Sequence, residues 1–196
     1  LALATRVPGL YAESFNGRVA PRFYMRGLGN TDFDLAASQP VSIVMDDIVM
    51  ENVVLKSFPL FDVQQVEVIR GPQGTLFGRN TTAGIVKFDS VKPSDDCDAY
   101  AKIGFASYGT VNFEGAVGGG LTDNLSGRIS VLSQDRDDYI DNAYTGQKNV
   151  MGGFDEKAWR GQLLYQPSDD FSALLNVHGR NLTGTATIFR ANVFDK

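Results

Sequence analysis

The sequence contains one cysteine, Cys97, and one histidine, His178, among its 196 residues. A single cysteine cannot form an internal disulfide, and no pair of ligand residues has the spacing of a metal site. No apolar run reaches about 18 residues, so no transmembrane helix is expected. Positive charge is also scarce, with 18 Lys and Arg against 23 Asp and Glu. Since nucleic-acid binders present a basic face, a nucleic-acid partner is disfavoured.

Glycine is the residue type in excess. The sequence has 21 glycines, above the usual share of about 7%, and most of them follow Gly71. The hydrophobic share of 43% and the charged share of 21% are ordinary for a folded protein. They exclude a disordered tail or a low-complexity array. The length allows one large domain or two small ones.

Residues 1–90 contain short elements of mixed type. A short amphipathic segment opens the chain, and a strand is predicted just before the glycine turn at Gly27. Residues 41–50 predict two short strands around an Asp-Asp turn. The segment from Asn52 to Phe61 predicts a short helix that Pro59 ends or kinks. This combination is typical of a small α+β unit.

The stretch from Val66 to Asp89 joins two predicted strands through a glycine-rich connection. A β-branched run reaches Ile69, turn residues follow from Arg70, and the second strand begins at Gly84. A phosphate-binding loop is one interpretation of such a connection. However, the lysine and spacing of GxxxxGK[ST] are absent, and no GxGxxG turn opens a helix. Nucleotide binding is therefore disfavoured, and no cofactor is expected.

Alternating polarity begins after a polar linker at Pro93. The runs are Asp98–Ala106, Thr110–Gly119, Leu125–Gln134, Lys157–Gln166 and Phe171–Arg180. Their lengths suit a tilted membrane strand of ~9–11 residues. Short turns follow the second and fourth runs, and a long polar loop from about residue 135 to 156 follows the third. Outer-membrane barrels place short turns on the periplasmic side and long loops outside, although the connection at residues 107–109 is shorter than this rule expects.

Two interpretations of the alternation stay open on pattern alone. One is a water-soluble antiparallel meander with a single buried face. The other is a membrane barrel, which aromatic residues on the apolar faces favour, as an interface girdle would. Arginines on the polar faces also favour it, because a wet or plugged lumen tolerates them; they are Arg128, Arg160 and Arg180.

Several motifs resemble the TonB-dependent outer-membrane receptors, in which a plug domain precedes a transmembrane barrel. The segment from Val66 to Asn80, VEVIRGPQGTLFGRN, is close to the family signature. Gly84-Ile85-Val86 matches the strand that follows the signature. Arg26-Gly27-Leu28-Gly29 is similar to the first plug motif. The resemblance covers nearly the whole chain.

The resemblance implies a fold, which is an α+β plug domain followed by the start of an antiparallel transmembrane β-barrel. The barrel has 22 strands in the family, and about five are expected here. We expect the plug at residues 1–93 and the barrel strands at residues 94–196. Residues 41–47 resemble a plug strand pair, with Met45 in place of an aromatic residue and Asp47 in place of a turn glycine. The signal peptide, the TonB box, the first part of the plug and the later strands are expected outside this sequence.

The resemblance also implies site residues. Arg26 and Arg70 match family arginines that pair with glutamates on the inner barrel wall and so act as latches between plug and barrel. Those glutamates are expected on strands outside this sequence, and solvated turn arginines are the alternative. The other plug-motif residues are Gly27, Glu67, Gly71, Pro72, Gly74, Gly78, Arg79 and Gly84.

The function implied is TonB-dependent active import of a scarce nutrient across the cell outer membrane, by a receptor that is not an enzyme. An iron–siderophore complex is the favoured ligand, and carbohydrate or cobalamin is the alternative. TonB, energised by ExbB and ExbD, is the expected partner through the N-terminal box, and outer-membrane lipid surrounds the barrel. The sequence specifies neither the ligand nor its contacts.

Two other functional classes stay as alternatives. A barrel hydrolase could use His178 with a serine and an aspartate, but no G-x-S-x-G elbow supports it. A polar residue facing the lumen is the simpler interpretation of His178. A soluble β-rich binding protein is the third class.

Overall fold

The computed structural model describes residues 4–14, 21–30, 32, 37–52 and 55–185. Thirteen strands and two short helical turns occur in these residues. The strands are β1 (Leu10–Glu13), β2 (Arg22–Met25), β3 (Val41–Met45), β4 (Ile48–Met50), β5 (Val63–Arg70), β6 (Gly84–Ser90), β7 (Asp98–Ala106), β8 (Thr110–Thr122), β9 (Leu125–Arg136), β10 (Ile140–Asn142), β11 (Gln147–Met151), β12 (Phe154–Ser168) and β13 (Phe171–Gly184). A 3-10 turn spans Leu55–Ser57, and the helix α1 spans Gly74–Phe77.

The first six strands build the N-terminal unit. Four of them form a sheet in the order β4-β3-β6-β5, in which β3 and β6 run parallel and the other pairs are antiparallel. The hairpin of β1 and β2 packs against this sheet through Leu10 and Met25. β-branched residues suit the pleated strands, so the runs in β3 and β6 form the core; its buried members include Val41, Ile43, Val86 and Phe88.

The remaining long strands form one antiparallel sheet in the order β13-β12-β9-β8-β7, here called the long sheet. It confirms the five predicted strands, and each observed strand contains its predicted run. Within the described residues, no helix has the length and hydropathy needed to cross a membrane.

The long sheet buries its polar face and exposes its apolar face. On β9, Ser126, Arg128 and Ser130 are buried, whereas Ile129 and Val131 are 62% and 38% exposed. β12 repeats the pattern, with Glu156, Arg160 and Gln162 buried and Trp159, Leu163 and Tyr165 exposed. A water-soluble sheet buries its apolar face instead. The burial pattern of β9 and β12 favours a membrane sheet with a filled lumen over the soluble meander.

Three local predictions were wrong. The predicted helix from Asn52 to Phe61 is only the 3-10 turn Leu55–Ser57 among the residues described there, and the chain is irregular from Phe58 to Phe61. The connection after Gln73 contains the unpredicted helix α1, closed by the bond from Gly78 N to Gly74 O of 3.1 Å. The long loop after β9 contains the hairpin of β10 and β11. The predicted amphipathic start falls partly outside the described residues, and residues 4–9 form turns.

Two backbone positions fix the shape of the N-terminal unit. The turn between β3 and β4 places Asp46 and Asp47 at φ of 48° and 67°, the left-handed region that short polar side chains tolerate. Gly84 at the start of β6 has φ of 146°. A Cβ there would lie 2.3 Å from the Ile69 carbonyl oxygen and 2.5 Å from the Met25 sulfur. Gly84 therefore lets β2, β5 and β6 meet at one point.

Candidate functional site

The N-terminal unit rests against the buried polar face of the long sheet, and this contact is the candidate functional site. On the N-terminal side the contact uses residues 56–62, the Asp46 turn and the end of β6. On the other side it uses inward side chains of β9, β12 and β13. Three groups of contacts, each centred on a carboxylate, join the two parts.

The Asp62 cluster, formed by Asp62, Arg128, Ser130 and Arg160, is the most buried group. Arg128 donates from Nε and Nη2 to the two carboxylate oxygens of Asp62, each at 2.7 Å. The Ser130 hydroxyl donates to the same carboxylate. Arg160 donates from Nη2 to the carbonyl oxygens of Phe61 and Asp62 at 2.8 and 3.0 Å. This two-pronged geometry is the strong form of an arginine–carboxylate pair.

Local backbone geometry directs Asp62 into the cluster. Its φ is 51°, which turns the chain sharply between the irregular segment and β5. The preceding Phe61 is buried with Leu132 and Ala158 of the long sheet and anchors the turn. The Arg160 guanidinium also lies 4.9 Å from the centre of the Phe61 ring. Packing of one aromatic ring therefore positions the carboxylate.

Charge favours the ionised form of Asp62. Burial alone would raise the pKa of Asp62, but the hydrogen bonds from Arg128 and Ser130 and the charges of both arginines outweigh burial and hold the pKa below its usual range. Arg128 has a second carboxylate, Asp98, whose Oδ2 lies 3.1 Å from Nη1. The Asp62 backbone N–H donates to Glu114 at 3.2 Å. The turn is thus held through both its side chain and its backbone.

A second group of contacts is centred on Glu156. Arg180 of β13 pairs with the Glu156 carboxylate, with Nε and Nη2 at 2.8 and 2.6 Å from Oε1. Its Nη1 donates to the Ser57 hydroxyl at 2.6 Å. Beside this pair the His178 ring meets the Phe58 ring edge-on, with centres 4.9 Å apart. His178 therefore faces the N-terminal unit, as the simpler interpretation predicts.

A third group of contacts is centred on the Asp46 carboxylate. Asp46 accepts bonds from the Ser90 backbone N–H at 2.8 Å and from the Ser90 hydroxyl at 2.6–2.7 Å. Asn176 of β13 donates to Asp46 at 3.1 Å, and Gln162 of β12 donates to the Ser90 hydroxyl at 3.3 Å. On β12 this group lies two residues from the Asp62 cluster and on the same face, since it uses Gln162 where the cluster uses Arg160.

The predicted latch residues Arg26 and Arg70 lie at one end of the N-terminal unit. Arg70 pairs in register with Gly84, and Arg26 follows Met25, whose sulfur packs over Gly84. Both side chains are exposed, and neither forms an ion pair with any residue that the structure describes. Their predicted pairing with barrel glutamates stays a prediction.

The other plug-motif residues shape the turns around this point. Gly27, Gly71 and Gly78 have positive φ of 80°, 95° and 83°. The Glu67 carboxylate accepts a bond from the Gln65 side-chain amide. The remaining three positions, Pro72, Gly74 and Arg79, are exposed. These residues form the rim of the strand connection and do not contribute to the three groups described above.

Sequence reasoning missed Asp62, Asp46, Ser90 and Glu156 as site residues. The arginines on the predicted lumen face were the available signal, because a buried guanidinium requires a carboxylate or a carbonyl partner. The sequence did not show which carboxylate would serve. No group of three or more His, Cys, Asp or Glu side chains in the described ranges could hold a metal ion.

The comparisons with known proteins identify the two parts. Residues 2–85 match the family model described as TonB-dependent Receptor Plug Domain. The pesticin receptor of Yersinia pestis is 29% identical over 150 residues, which are 74% of this chain and 21% of that protein. The catecholate siderophore receptor Fiu of Escherichia coli K12 is 32% identical over 136 residues, 65% of this chain and 16% of that protein.

A solved structure supports the same assignment. The crystal structure of the ferric yersiniabactin uptake receptor FyuA from Yersinia pestis matches with a TM-score of 0.74 and 26% identity, over 83% of this chain and 25% of that one. The chain thus spans about a fifth of the length of the curated relatives that it matches. The N-terminal unit is the plug, and the long sheet is barrel wall in the cell outer membrane. Residues 2–85 thus belong to the plug-domain family of the TonB-dependent receptors, and the chain as a whole is similar to these outer-membrane receptors.

Proposed function

We propose that the receptor containing this chain imports an iron–siderophore complex across the outer membrane, driven by TonB that ExbB and ExbD energise. Two similar proteins are named as a catecholate siderophore receptor and a ferric yersiniabactin uptake receptor, which supports a siderophore over a carbohydrate. We further propose that the plug domain extends to Pro93 and that the barrel begins after it. The residues act by binding and by conformational change rather than by catalysis.

One observation carries this proposal: the plug meets the wall mainly through polar contacts. Among the described residues, the buried apolar part of the contact is small: Phe61 packs with Leu132 and Ala158, and the half-buried Phe58 packs against them. The other contacts are hydrogen bonds and ion pairs, each with a net worth of only about 0.5–3 kcal/mol when the plug leaves the wall, because the separated groups then bond to water. A plug seated in this way is held firmly, yet it can be shifted by pulling. An apolar interface of the same extent would oppose movement of the plug, because its apolar surface would have to be exposed to water.

A cavity on the outer side of this contact is the proposed ligand surface. It has a volume of about 250 Å³ and lies between plug residues 55–60 and the wall residues Glu156 and Arg180. Arg180 is nine residues from the start of β13, about 30 Å along the strand at 3.3 Å per residue. The lining combines the cation Lys56 and the ion pair of Arg180 with Glu156 with apolar rings such as Phe23 and Phe58. This combination suits an anionic complex with an aromatic or aliphatic frame.

Arg26 and Arg70 fit this scheme as a second latch. They lie together at the Gly84 end of the plug, are exposed, and could pair with carboxylates elsewhere on the wall. We therefore propose that the plug is seated by charge at two places, by its own arginines at the Gly84 end and by wall arginines at Asp62.

Uptake of radioactive iron by cells that express the full-length receptor tests the substrate. A strain without its own siderophore receptors would be supplied with ferric catecholate, ferric hydroxamate and labelled cobalamin, with and without TonB. We expect uptake of at least one ferric siderophore, with TonB required. Uptake of cobalamin alone would move the assignment to another ligand class.

A crosslink between plug and wall tests the movement separately. Ser90→Cys and Gln162→Cys would be combined with Cys97→Ser, since Cys97 is exposed and free. A short thiol crosslinker should leave siderophore binding intact and stop uptake, and each single cysteine serves as the control. Full uptake by the crosslinked receptor would contradict a plug that moves against this part of the wall.

A further inference from the structure

The lipid-facing side of the long sheet contains a recess of about 620 Å³. It lies among outward side chains of four neighbouring strands, and its lining is almost entirely apolar. The volume corresponds to about twenty water molecules at ~30 Å³ each, yet an apolar hollow does not hold water well. The residues that frame the recess are Val117, Leu121, Ile129, Leu163, Leu175 and Val177.

Three glycines create the recess. Gly119 and Gly127 face each other across β8 and β9, and Gly161 lies on the next strand beside Ile129. None of the three has the positive φ that would require glycine. The gap is widest at Gly161, where a Cβ would have no atom within 4 Å, whereas a Cβ on Gly127 would lie 3.1 Å from Leu121 and one on Gly119 would lie 3.4 Å from Cys97. The hollow is therefore a gap in the side-chain layer rather than a result of backbone strain.

The position of the recess shows which part of the membrane faces it. Leu121 adjoins the short turn after β8, and Val177 lies six residues from the short turn before β13. Six residues span about 20 Å along a strand, or about 15 Å of depth at the usual 35–45° tilt. This is the thickness of one leaflet of the ~30 Å hydrocarbon core. Because short turns lie on the periplasmic side, the recess faces the acyl chains of the inner leaflet.

The charge beneath the recess selects a head group. The turn after β8 carries Asp123, and the turn before β13 carries Asp169 and Asp170. All three side chains are exposed, and the two turns contain no Lys or Arg. Such a rim repels an anionic head group and attracts an ammonium group.

We propose that the recess binds one acyl chain of an ethanolamine-type phospholipid from the periplasmic leaflet, with the ammonium head group near these aspartates. The affinity arises from close packing, because lipid tails are as apolar as the side chains and burial alone gives no preference. A chain that fills the recess gains contacts that a flat face does not offer.

Native mass spectrometry of the full-length receptor tests the proposal. The delipidated receptor would be titrated with phosphatidylethanolamine, phosphatidylglycerol and lipopolysaccharide. We expect one tight phosphatidylethanolamine site, which Gly161→Leu weakens about tenfold by filling the recess. Ala101→Leu is the matched control, since it adds the same side chain to the outward face of β7 away from the recess. Replacing the three turn aspartates by asparagine should abolish the head-group preference and keep the site.

Three results would overturn the proposal. Equal lipid retention by Gly161→Leu and the wild type would place the lipid elsewhere. Tighter binding of phosphatidylglycerol than of phosphatidylethanolamine would contradict the role of the aspartates. Preferential binding of lipopolysaccharide would place the site in the opposite leaflet. None of these outcomes depends on which nutrient the receptor carries, so failure here is distinct from failure of the uptake assay.

Discussion

Removing the charge of Asp62 tests how the plug is seated. Asp62→Asn keeps the shape of the side chain but leaves Arg128 and Arg160 without their shared carboxylate. Their side chains are 4% and 3% exposed, so water cannot easily replace the lost partner. We expect the plug to be held much less firmly in this variant.

The magnitude follows from burial. Breaking a buried ion pair by removing one partner costs about 3–5 kcal/mol. Asp98 remains 3.1 Å from Arg128, but it is 61% exposed and compensates only in part. The lower end of the range, about 3 kcal/mol, is therefore expected, which is on the order of a hundredfold in the opening equilibrium. In Asp62→Asn with Arg128→Met most of this loss should be recovered, since the Arg128 charge is gone and Arg160 keeps its bonds to the carbonyl oxygens of Phe61 and Asp62.

Hydrogen exchange of the full-length receptor in detergent is the suitable assay. Trp159 points to lipid and would not report on the plug by fluorescence. Amides of β5 and β6 should exchange about a hundredfold faster in Asp62→Asn. Asp47→Asn is the matched control, because it removes an exposed carboxylate from the same plug. An unchanged exchange rate in Asp62→Asn would refute the reasoning. So would a double variant whose exchange rate rises by as much as the two single substitutions together.

The same experiment has a pH dependence with a definite sign. The pKa of Asp62 is lowered in the folded state, so its contribution is complete above the unfolded value of about 3.9 and is lost as the pH falls through the folded value. After correction for intrinsic exchange, the difference between wild type and Asp62→Asn should be constant above about pH 5 and should shrink below pH 4. A difference that grows with acidity would contradict this assignment.

Three further predictions concern the plug alone. Burial lowers the pKa of Lys56 to about 8. Keeping Lys56 charged therefore lowers the stability of the folded plug by up to about 3 kcal/mol below pH 8, and this loss disappears as the pH rises towards 10.5. Lys56→Met should therefore raise the unfolding temperature of the plug at pH 7 but not above pH 10. In a denaturant titration, Asp47→Gly should change the free energy of unfolding by less than about 0.5 kcal/mol. Asp47→Val should lower it by about 2 kcal/mol, because the φ of 67° strains a β-branched residue. Gly84→Ala should lower the free energy of unfolding by about 3 kcal/mol or more, since its methyl group would clash with the Ile69 carbonyl. Unchanged stability of Lys56→Met at pH 7, of Asp47→Val or of Gly84→Ala would contradict the geometry.

The parts of the fold that the sequence predicted are those that depend on local pattern. The strand Asp98–Ala106 was predicted with its observed bounds, because alternation with a period of two is a property of the strand itself. The Asp46-Asp47 turn was predicted for the same reason, since short polar residues are turn formers. A resemblance to one family supplied the order of plug and wall, which alternation alone could not.

The contacts between plug and wall could not be predicted locally. Asp62 and Arg128 are 66 residues apart, and Asp46 and Asn176 are 130 apart. The failed helix prediction has the same origin. Phe61 is instead buried against Leu132 and Ala158 of the long sheet, and Pro59 has no N–H to donate within a helix. The environment of the wall, rather than helix propensity, decides the backbone of residues 58–62.

The alternation that places apolar side chains in lipid also explains why the plug is held by charge. Each outward Ile129 or Trp159 on a strand forces its neighbours, such as Arg128 and Arg160, to point inward. The wall can therefore offer the plug few apolar surfaces and many donors, and Asp62 is a carboxylate that satisfies them. An apolar residue in place of Asp62 would remove the buried partner of the Arg128 guanidinium and leave it the exposed Asp98. A negative charge at Asp62 is therefore expected from the strand pattern of the membrane wall. Any scheme of plug movement has to account for the groups to which Arg128 and Arg160 bond once Asp62 has moved away.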